Sequence, residues 1–318
     1  MYYYYMTSSI QSIPWVEKYR PTEFENIVLE PTNRIIFENI IKKEYFPNLL
    51  FYGPPGTGKT TTIINLINKY QRKHSKLRKE NIIHLNASDE RGIDIIRNQI
   101  QQFVKTKNFF EVGIKYVILD EVDYMTKNAQ QALKYLMQST NYNVRYCLIC
   151  NYISKLIDSL QSEFICVRFN QLPQEDIYNF IKTISYKENL DLTETIINTI
   201  QKTYKSDIRS MINFLQLNQN LIVWNNSIIT NDIWEQIYNF HKNNNNSELR
   251  QYLHKISISY NIDKKSIIVK YFNYIIRNKI HCILPEFLHN VQVIVHSDKT
   301  DLNTTIDYFC ENFNTAYT

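Results

Sequence analysis

Three of the five glycines in this 318-residue chain fall within "GPPGTGKT", residues 53–60. The run matches G-x-x-x-x-G-K-[ST], and each residue type has a chemical reason to stand where it does. Gly53, Gly56 and Gly58 leave backbone N–H groups free to close around an anion, Lys59 adds a mobile cation, and Thr60 offers a hydroxyl to Mg²⁺. Pro54, Pro55, Thr57 and Thr61 complete the stretch that would surround a phosphate chain. The apolar run Asn48–Tyr52 stops at Gly53, and Ile63, Ile64 and Ile67 follow at helical spacing. The loop therefore joins a strand to a helix whose positive end faces the anion. A glycine-rich turn that binds nothing has no need of strand, spacing, Lys-Thr and helix together.

Binding phosphate is not hydrolysis. "YVILDEVD" ends an apolar run with Asp120 and Glu121, a pair in which the first carboxylate holds Mg²⁺ through water and the second orients or deprotonates attacking water. Asn151 ends "LICN", where it could hydrogen-bond a γ-phosphate or that water; taken alone, it reads as a turn residue. Arg209 opens the helical stretch of "SDIRSMINFL" and could report the γ-phosphate to it; taken alone, it reads as a surface ion-pairing residue. The ligands expected are ATP and Mg²⁺, the metal between Thr60 and Asp120.

These residues need a scaffold. The runs Asn48–Tyr52, Ile82–Leu85, Tyr116–Leu119, Val144–Cys150 and Ile165–Phe169 are almost continuously apolar, as strands covered on both faces are, with room between them for crossover helices. A parallel α/β sheet is predicted. One helix lies in "NAQQALKYLM", with Ala129, Ala132, Leu133, Leu136 and Met137 on one stripe. After Phe169 the pattern turns helical. "LPQEDIYNFIKTI" opens on Pro173 and acids and should bury Ile177, Phe180, Ile181 and Ile184, and further helices fit 193–202 and 206–217. A third part starts near residue 230, where "KKSIIVKYFNYIIRNK" has too broad an apolar face for a lone surface helix, through Ile267, Ile268, Tyr271, Phe272, Ile275 and Ile276. That face is either an ordinary helical core or a packing face for other subunits. "HKNNNNSE" reads as a polar connector. The expected division is an α/β domain at 1–170, a helical domain at 171–228 and an all-α domain at 229–318.

Composition agrees with this organisation. Hydrophobic residues make up 44% and charged residues 21%, enough for real cores. No apolar stretch reaches the roughly 18 residues a membrane span needs, and no membrane partner is expected. "MYYYYMTSSI" lacks the basic and apolar regions of a secretory signal and reads as a frayed tail. The net charge of +5 permits nucleic-acid contact without demonstrating it. Cys147 and Cys150 have C-x-x-C spacing, but on a strand residues three apart point to opposite faces, so reduced thiols are expected rather than a metal site.

A resemblance covers most of the chain. "PWVEKYRP" (14–21), "GPPGTGKT" (53–60), "LNASDERGID" (85–94), "LDEVD" (119–123), "CNYISKLI" (150–157) and "SDIR" (206–209) stand in the order and spacing of the small subunits of replication factor C. These are AAA+ clamp-loader ATPases of eukaryotes and archaea. The first and third boxes are the most specific. The resemblance implies an AAA+ P-loop α/β domain, a helical lid, and a C-terminal helical collar joining five subunits in an open ring. It implies that Val16 and Arg20 line the adenine pocket, that Lys59, Thr60, Asp120 and Glu121 form the reaction centre, and that Asn151 and Arg209 are two sensors. It implies a DNA-stimulated ATPase that loads a sliding clamp onto primer-template DNA within a hetero-oligomer. The setting implied is intracellular, at sites of replication, in the nucleus or in a cytoplasmic factory if viral. A nucleotide-binding scaffold subunit and a related AAA+ DNA motor are the alternatives. Heavy use of Asn, Ile, Lys and Tyr resembles coding by an AT-rich genome, as of a protist or large DNA virus.

For DNA, Arg91 and Arg97 in "DERGIDIIRNQIQQF" are the candidate phosphate contacts, whereas the basic run "KYQRKHSKLRKE" reads as a solvated loop. Phe109 and Phe110 either approach the clamp or start a core strand. One departure stands out. Where the family enters the strand after the first sensor through "SRC", this chain reads "SLQSEFICVRF", with Glu163 in place of the arginine and Phe164 in place of the cysteine.

Overall fold

The computed structural model describes residues 13–74, 79–89, 95–106, 113–139, 143–219, 229, 231–260, 262–296 and 302–313. Two compact units divide at Gln219 and Asn220.

The first unit is built on five parallel strands, β1 (Leu49–Tyr52), β2 (Ile82–Asn86), β3 (Lys115–Asp120), β4 (Val144–Cys150) and β5 (Ile165–Arg168), in the order β2-β3-β4-β1-β5. Their apolar continuity has a direct cause, because alternate side chains enter two different cores. Leu49, Phe51, Tyr116, Ile118, Cys147 and Ile149 pack with Phe37 of the helix Pro31–Lys42 and with Ile63, Leu66, Ile67 and Tyr70 of the helix Lys59–His74. Leu50, Val117, Leu119, Tyr146, Leu148 and Cys150 pack on the other face against Ala129 and Leu133 of the helix Lys127–Ser139. A period of two across a sheet covered on both sides produces this pattern. It also separates Cys147 from Cys150, one in each core, as their spacing on a strand requires.

Pairing sets which residues end together. Leu49 to Tyr52 lie in register with Cys147 to Cys150 on β4 and with Ile165 to Arg168 on β5, while Asn86 pairs with Asp120. The C-terminal ends of β1, β3 and β4 therefore lie along one rim, and Gly53, Glu121 and Asn151 leave the sheet from it. In open parallel sheets ligands bind on that rim.

The helices Gln174–Lys187, Glu194–Tyr204 and Ile208–Leu217 follow β5. Ile177, Ile181 and Ile184 are buried as expected. Phe180 is not: it is half-buried because it faces a cleft described below.

The second unit contains the helices Asn231–Lys242, Asn246–Tyr260, Lys264–Asn278, Pro285–Val295 and Leu302–Asn312 around its own aromatic core. Phe272 stacks on Phe313 at 5.0 Å, and Phe309 meets Tyr271 edge-on at 5.8 Å. Ile267, Ile268, Tyr271, Phe272 and Ile275 enter this core, whereas Ile276 is exposed. The broad face is thus mostly an internal one. The connector is shorter than its polar composition suggests: Asn244 takes a left-handed conformation, and the next helix has begun by Asn246. Among the described residues no helix is long and apolar enough to cross a membrane.

Candidate active site

Lys59 begins the helix after β1 and is buried. Its ammonium donates to the carbonyls of Gly53 and Pro54, both at 2.8 Å, and to Asn151 Oδ1 at 3.1 Å. An ammonium has three protons, and here each has an acceptor. Burial pushes the Lys59 pKa below the ordinary lysine value, with the carboxylates of Asp120 and Asp123 opposing it. The side chain is thereby fixed at the floor of the loop, and β4 contributes to fixing it.

The next residue turns toward the acids. Thr60 Oγ1 donates to Asp120 Oδ2 at 2.6 Å, and the Glu121 backbone N–H donates to Asp120 Oδ1 at 2.9 Å. A hydroxyl and a carboxylate oxygen this close, beside a phosphate loop, are the hard oxygen donors that Mg²⁺ takes. Glu121 has φ 55° and ψ 37°, a left-handed conformation that costs a non-glycine residue about 1–2 kcal/mol. Strain of this kind at the end of a strand is characteristic of positions where function dictates aim.

Two glycines are required by close approach. A Cβ on Gly53 would lie 1.8 Å from the Phe169 carbonyl oxygen, and one on Gly56 would lie 1.8 Å from Asp207 Oδ1. Asp207 caps the helix Ile208–Leu217 by accepting from Ser210 N–H at 3.0 Å. The Ile208 N–H donates to the Gly56 carbonyl at 3.2 Å. The phosphate loop and this helix are joined backbone to backbone, and Arg209 follows immediately.

A single cleft gathers most of the residues expected from sequence: Val16, Arg20, Pro55, Gly56, Thr57, Gly58, Lys59, Thr60, Thr61, Asp120, Glu121, Asn151 and Arg209 all line it. Gly53 and Pro54 contribute to it indirectly, through the carbonyls that hold Lys59. Arg20 reaches the loop by donating from Nε to Thr61 Oγ1 at 3.3 Å. Arg91, Phe109 and Phe110 lie outside the described residues, as does the side chain of Arg97.

Sequence reasoning missed much of the apolar lining of the cleft, to which Tyr19, Ile27, Val28, Phe180, Ile208 and Ile212 contribute. Tyr19 carried a signal, since it lies inside "PWVEKYRP"; Phe180 and Ile212 follow a helical stripe and look like core. Two titratable neighbours were also missed. His84 Nε2 lies 3.9 Å from Asp120 Oδ2, and burial lowers its pKa, with Asp120 opposing and Arg20 adding to the effect. A polar residue inside the apolar run "IIHLN" was its only mark. Asp123 is buried, with Oδ2 accepting from Tyr152 N–H at 3.4 Å and Oδ1 without a hydrogen-bond partner among the described residues.

Comparison with known proteins bears on this rim directly. Residues 49–171, from the first strand to just past the last, match the model of the ATPase family associated with various cellular activities (AAA). They form an AAA domain. Beyond this AAA domain, similarity extends to replication factor C subunits. The chain is 39% identical over 203 residues to replication factor C small subunit 2 of Pyrobaculum islandicum, covering 64% of this chain and 62% of that protein. It is 39% identical over 209 residues to human replication factor C subunit 5, covering 66% and 61%. It is also 39% identical over 209 residues to replication factor C subunit 3 of Saccharomyces cerevisiae, covering 65% and 60%. In each case the match spans less than two thirds of the relative. Among solved structures, domain III of the Thermotoga maritima replication initiation protein DnaA aligns with a TM-score of 0.47 and 16% identity, over 64% of this chain and 92% of that one, a likeness too slight to carry a conclusion.

Proposed function

We propose that this chain is an ATP-hydrolysing small subunit of a replication factor C-like clamp loader. One observation supports it above all: Lys59, Thr60, Asp120, Glu121, Asn151 and Arg209, drawn from four separate stretches of chain, line a single cleft on the carboxyl rim of an AAA sheet. On this reading the Lys59 ammonium exchanges neutral carbonyl partners for phosphate oxygens, a charge-assisted contact about twice as strong as a neutral one. Glu121 orients and deprotonates the attacking water. Mg²⁺, held by Thr60 and Asp120, would neutralise charge developing on the phosphates. Asn151 and Arg209 read the γ-phosphate from β4 and from the helical part, so that nucleotide state alters how the two meet.

In this proposal residues 1–170 form the ATPase domain, 171–228 a helical lid and 229–318 a collar that joins neighbouring subunits into a five-membered ring. The partners are those subunits, a sliding clamp and primer-template DNA, which stimulates the ATPase. The work is done at sites of DNA replication, in the nucleus or a cytoplasmic factory. Arg91 and Arg97 are the proposed phosphate contacts. Reversing their charge should weaken binding of many sequences alike and flatten the salt dependence.

The deciding experiment separates binding from turnover. Lys59→Ala should abolish binding of a fluorescent ATP analogue. Glu121→Gln should leave its affinity within about threefold while lowering phosphate release by about 10²-fold or more, as loss of a general base does. Wild-type turnover by Glu121→Gln in a competent complex would remove Glu121 from this role.

A further inference from the structure

We propose that Glu188 is a positioning residue for the base end of the cleft, clamping the segment Trp15–Arg20 to the helices that follow the sheet. The inference rests on the nucleotide reading above and adds a residue that phosphate chemistry does not call for. Glu188 closes the helix Gln174–Lys187, and its side chain is only 15% exposed. One oxygen, Oε1, accepts from Lys18 Nζ at 2.6 Å and also from the Tyr19 hydroxyl. In sequence both stand between the cleft-lining residues Val16 and Arg20, and Tyr19 itself lines the cleft. Burial acts to raise the Glu188 pKa, but the hydrogen bonds from Lys18 and Tyr19 prevail and hold the carboxyl below the usual range.

The clamp matters because the segment cannot hold its own shape. Trp15–Lys18 is a single helical turn, far short of the length at which a helix is stable alone. Its conformation is set from outside. The Trp15 N–H donates to Gln216 Oε1 at 2.9 Å, which ties one end to the helix Ile208–Leu217, and Glu188 ties the other end to the helix Gln174–Lys187. The Tyr19 ring, a cleft-lining surface, is held by its hydroxyl, by Trp15 edge-on at 6.3 Å, and by the Lys187 ammonium 5.8 Å above it. Removing the carboxylate takes away the hold on the hydroxyl, loosens the ring and leaves the phosphate loop untouched.

That separation defines the test. Affinities of the full-length chain for ATP and for inorganic triphosphate, each with Mg²⁺, are measured by calorimetry, together with the dissociation rate of a fluorescent ATP analogue. Glu188→Ala should weaken ATP about tenfold, mostly through faster dissociation, and shift inorganic triphosphate less than about twofold, the tenfold corresponding to loss of one charge-assisted anchor. Glu188→Gln retains an acceptor for Tyr19 and should fall between wild type and Glu188→Ala. Tyr19→Phe keeps the ring, loses the bond and should shift ATP in the same direction, so the inference stays testable if Glu188→Ala folds poorly. Parallel loss of both ligands, or no loss of either, would overturn the role of Glu188 while leaving the nucleotide reading intact. A wild-type chain that binds neither ligand would overturn that reading and this inference with it.

Discussion

Asn151 Oδ1 lies 3.1 Å from the Lys59 ammonium, across 92 residues of sequence. The residue at the tip of β4 therefore helps to hold the cation of the phosphate loop and at the same time faces the cleft. Its two roles can be separated by charge. Asn151→Ala removes one neutral acceptor and leaves two carbonyls on Lys59, so nucleotide affinity should change by less than about fivefold while turnover falls by about 10². Asn151→Asp places a carboxylate beside any γ-phosphate and should weaken ATP roughly tenfold more than ADP, through like-charge repulsion. Competition binding of the two nucleotides checks this. Equal loss of ATP and ADP would place Asn151 away from the γ-phosphate.

Gly56 and Asp207 form a contact that tolerates no side chain on the glycine. Gly56→Ala forces an L-residue to φ 73° and drives its Cβ into Asp207, so the chain should lose about 1–2 kcal/mol from the backbone conformation alone and more from the collision. Asp207→Ala by itself should lose about 1 kcal/mol with the helix cap. The double variant should be less destabilised than the sum, because the second change removes the nearest obstacle. Denaturant titration of the four proteins gives the coupling. Strict additivity would mean that the loop moves away from the helix.

How much of this was legible depends on which physical signal each residue leaves in the chain. The central strands β1, β3 and β4 were readable because both their faces are covered, so a run such as "VRYCLIC" is almost continuously apolar, while the edge strands β2 and β5 are half-buried or exposed along most of their length and were readable from their apolar residues alone. Their structural bounds differ from the apolar runs by a residue at the ends, as at Asn48 and Phe169. The phosphate-binding residues were readable because glycine, lysine and threonine at fixed spacing have few other uses. The apolar lining was not. Phe180 obeys the same helical period as its buried neighbours Ile177, Ile181 and Ile184, and only the packing of one helix decides that it faces a cleft and not a core. Glu188 left even less: an acid just past a helix end is ordinary, and its partners Lys18 and Tyr19 are 170 and 169 residues away.

The cysteines give a test of the fold that does not depend on function. Cys147, Cys150, Cys282 and Cys310 are buried and Cys166 is exposed. Burial pushes the Cys150 thiol up to about 12. A thiol reagent at pH 8 should modify one cysteine rapidly in the native chain, identified by peptide mapping as Cys166, and all five after unfolding. The same shift has a consequence for stability. Above about pH 8.5, where an unfolded thiol ionises, the folded chain retains a proton that the unfolded chain has lost. Stability therefore falls as pH rises from there toward 12. Cys150→Ala, compared with wild type across this range, should flatten that decline. Rapid native modification of Cys150 would contradict the two-sided sheet.

The last prediction comes from Glu163, which stands where the replication factor C pattern has an arginine. It precedes β5, and its Oε1 accepts from Gln138 Nε2 at 3.0 Å, at the end of the helix Lys127–Ser139. Phe164, in place of the cysteine, packs against the core on that face of the sheet. In the clamp-loader reading proposed above, an arginine here would reach a neighbouring subunit's nucleotide, where such a residue accelerates hydrolysis by about 10³–10⁵ in well-characterised nucleotide hydrolases; a carboxylate would repel the phosphates. Arg168 does not replace it, because it lies at the far end of β5, three strand steps or about 10 Å beyond Ile165. The chain should therefore turn over ATP at its own site when a partner supplies the missing cation, and should not complete a partner's site. That asymmetry suits the end of an open ring, or a place beside a subunit whose site is inert. Alone, the chain should be a poor ATPase. Adding subunits that carry the arginine should raise phosphate release from this chain's site, identified by its loss in Lys59→Ala. Glu163→Arg combined with Phe164→Cys should raise the rate of the isolated chain wherever copies associate. Brisk hydrolysis by the purified wild-type chain, without partners, would sink the idea.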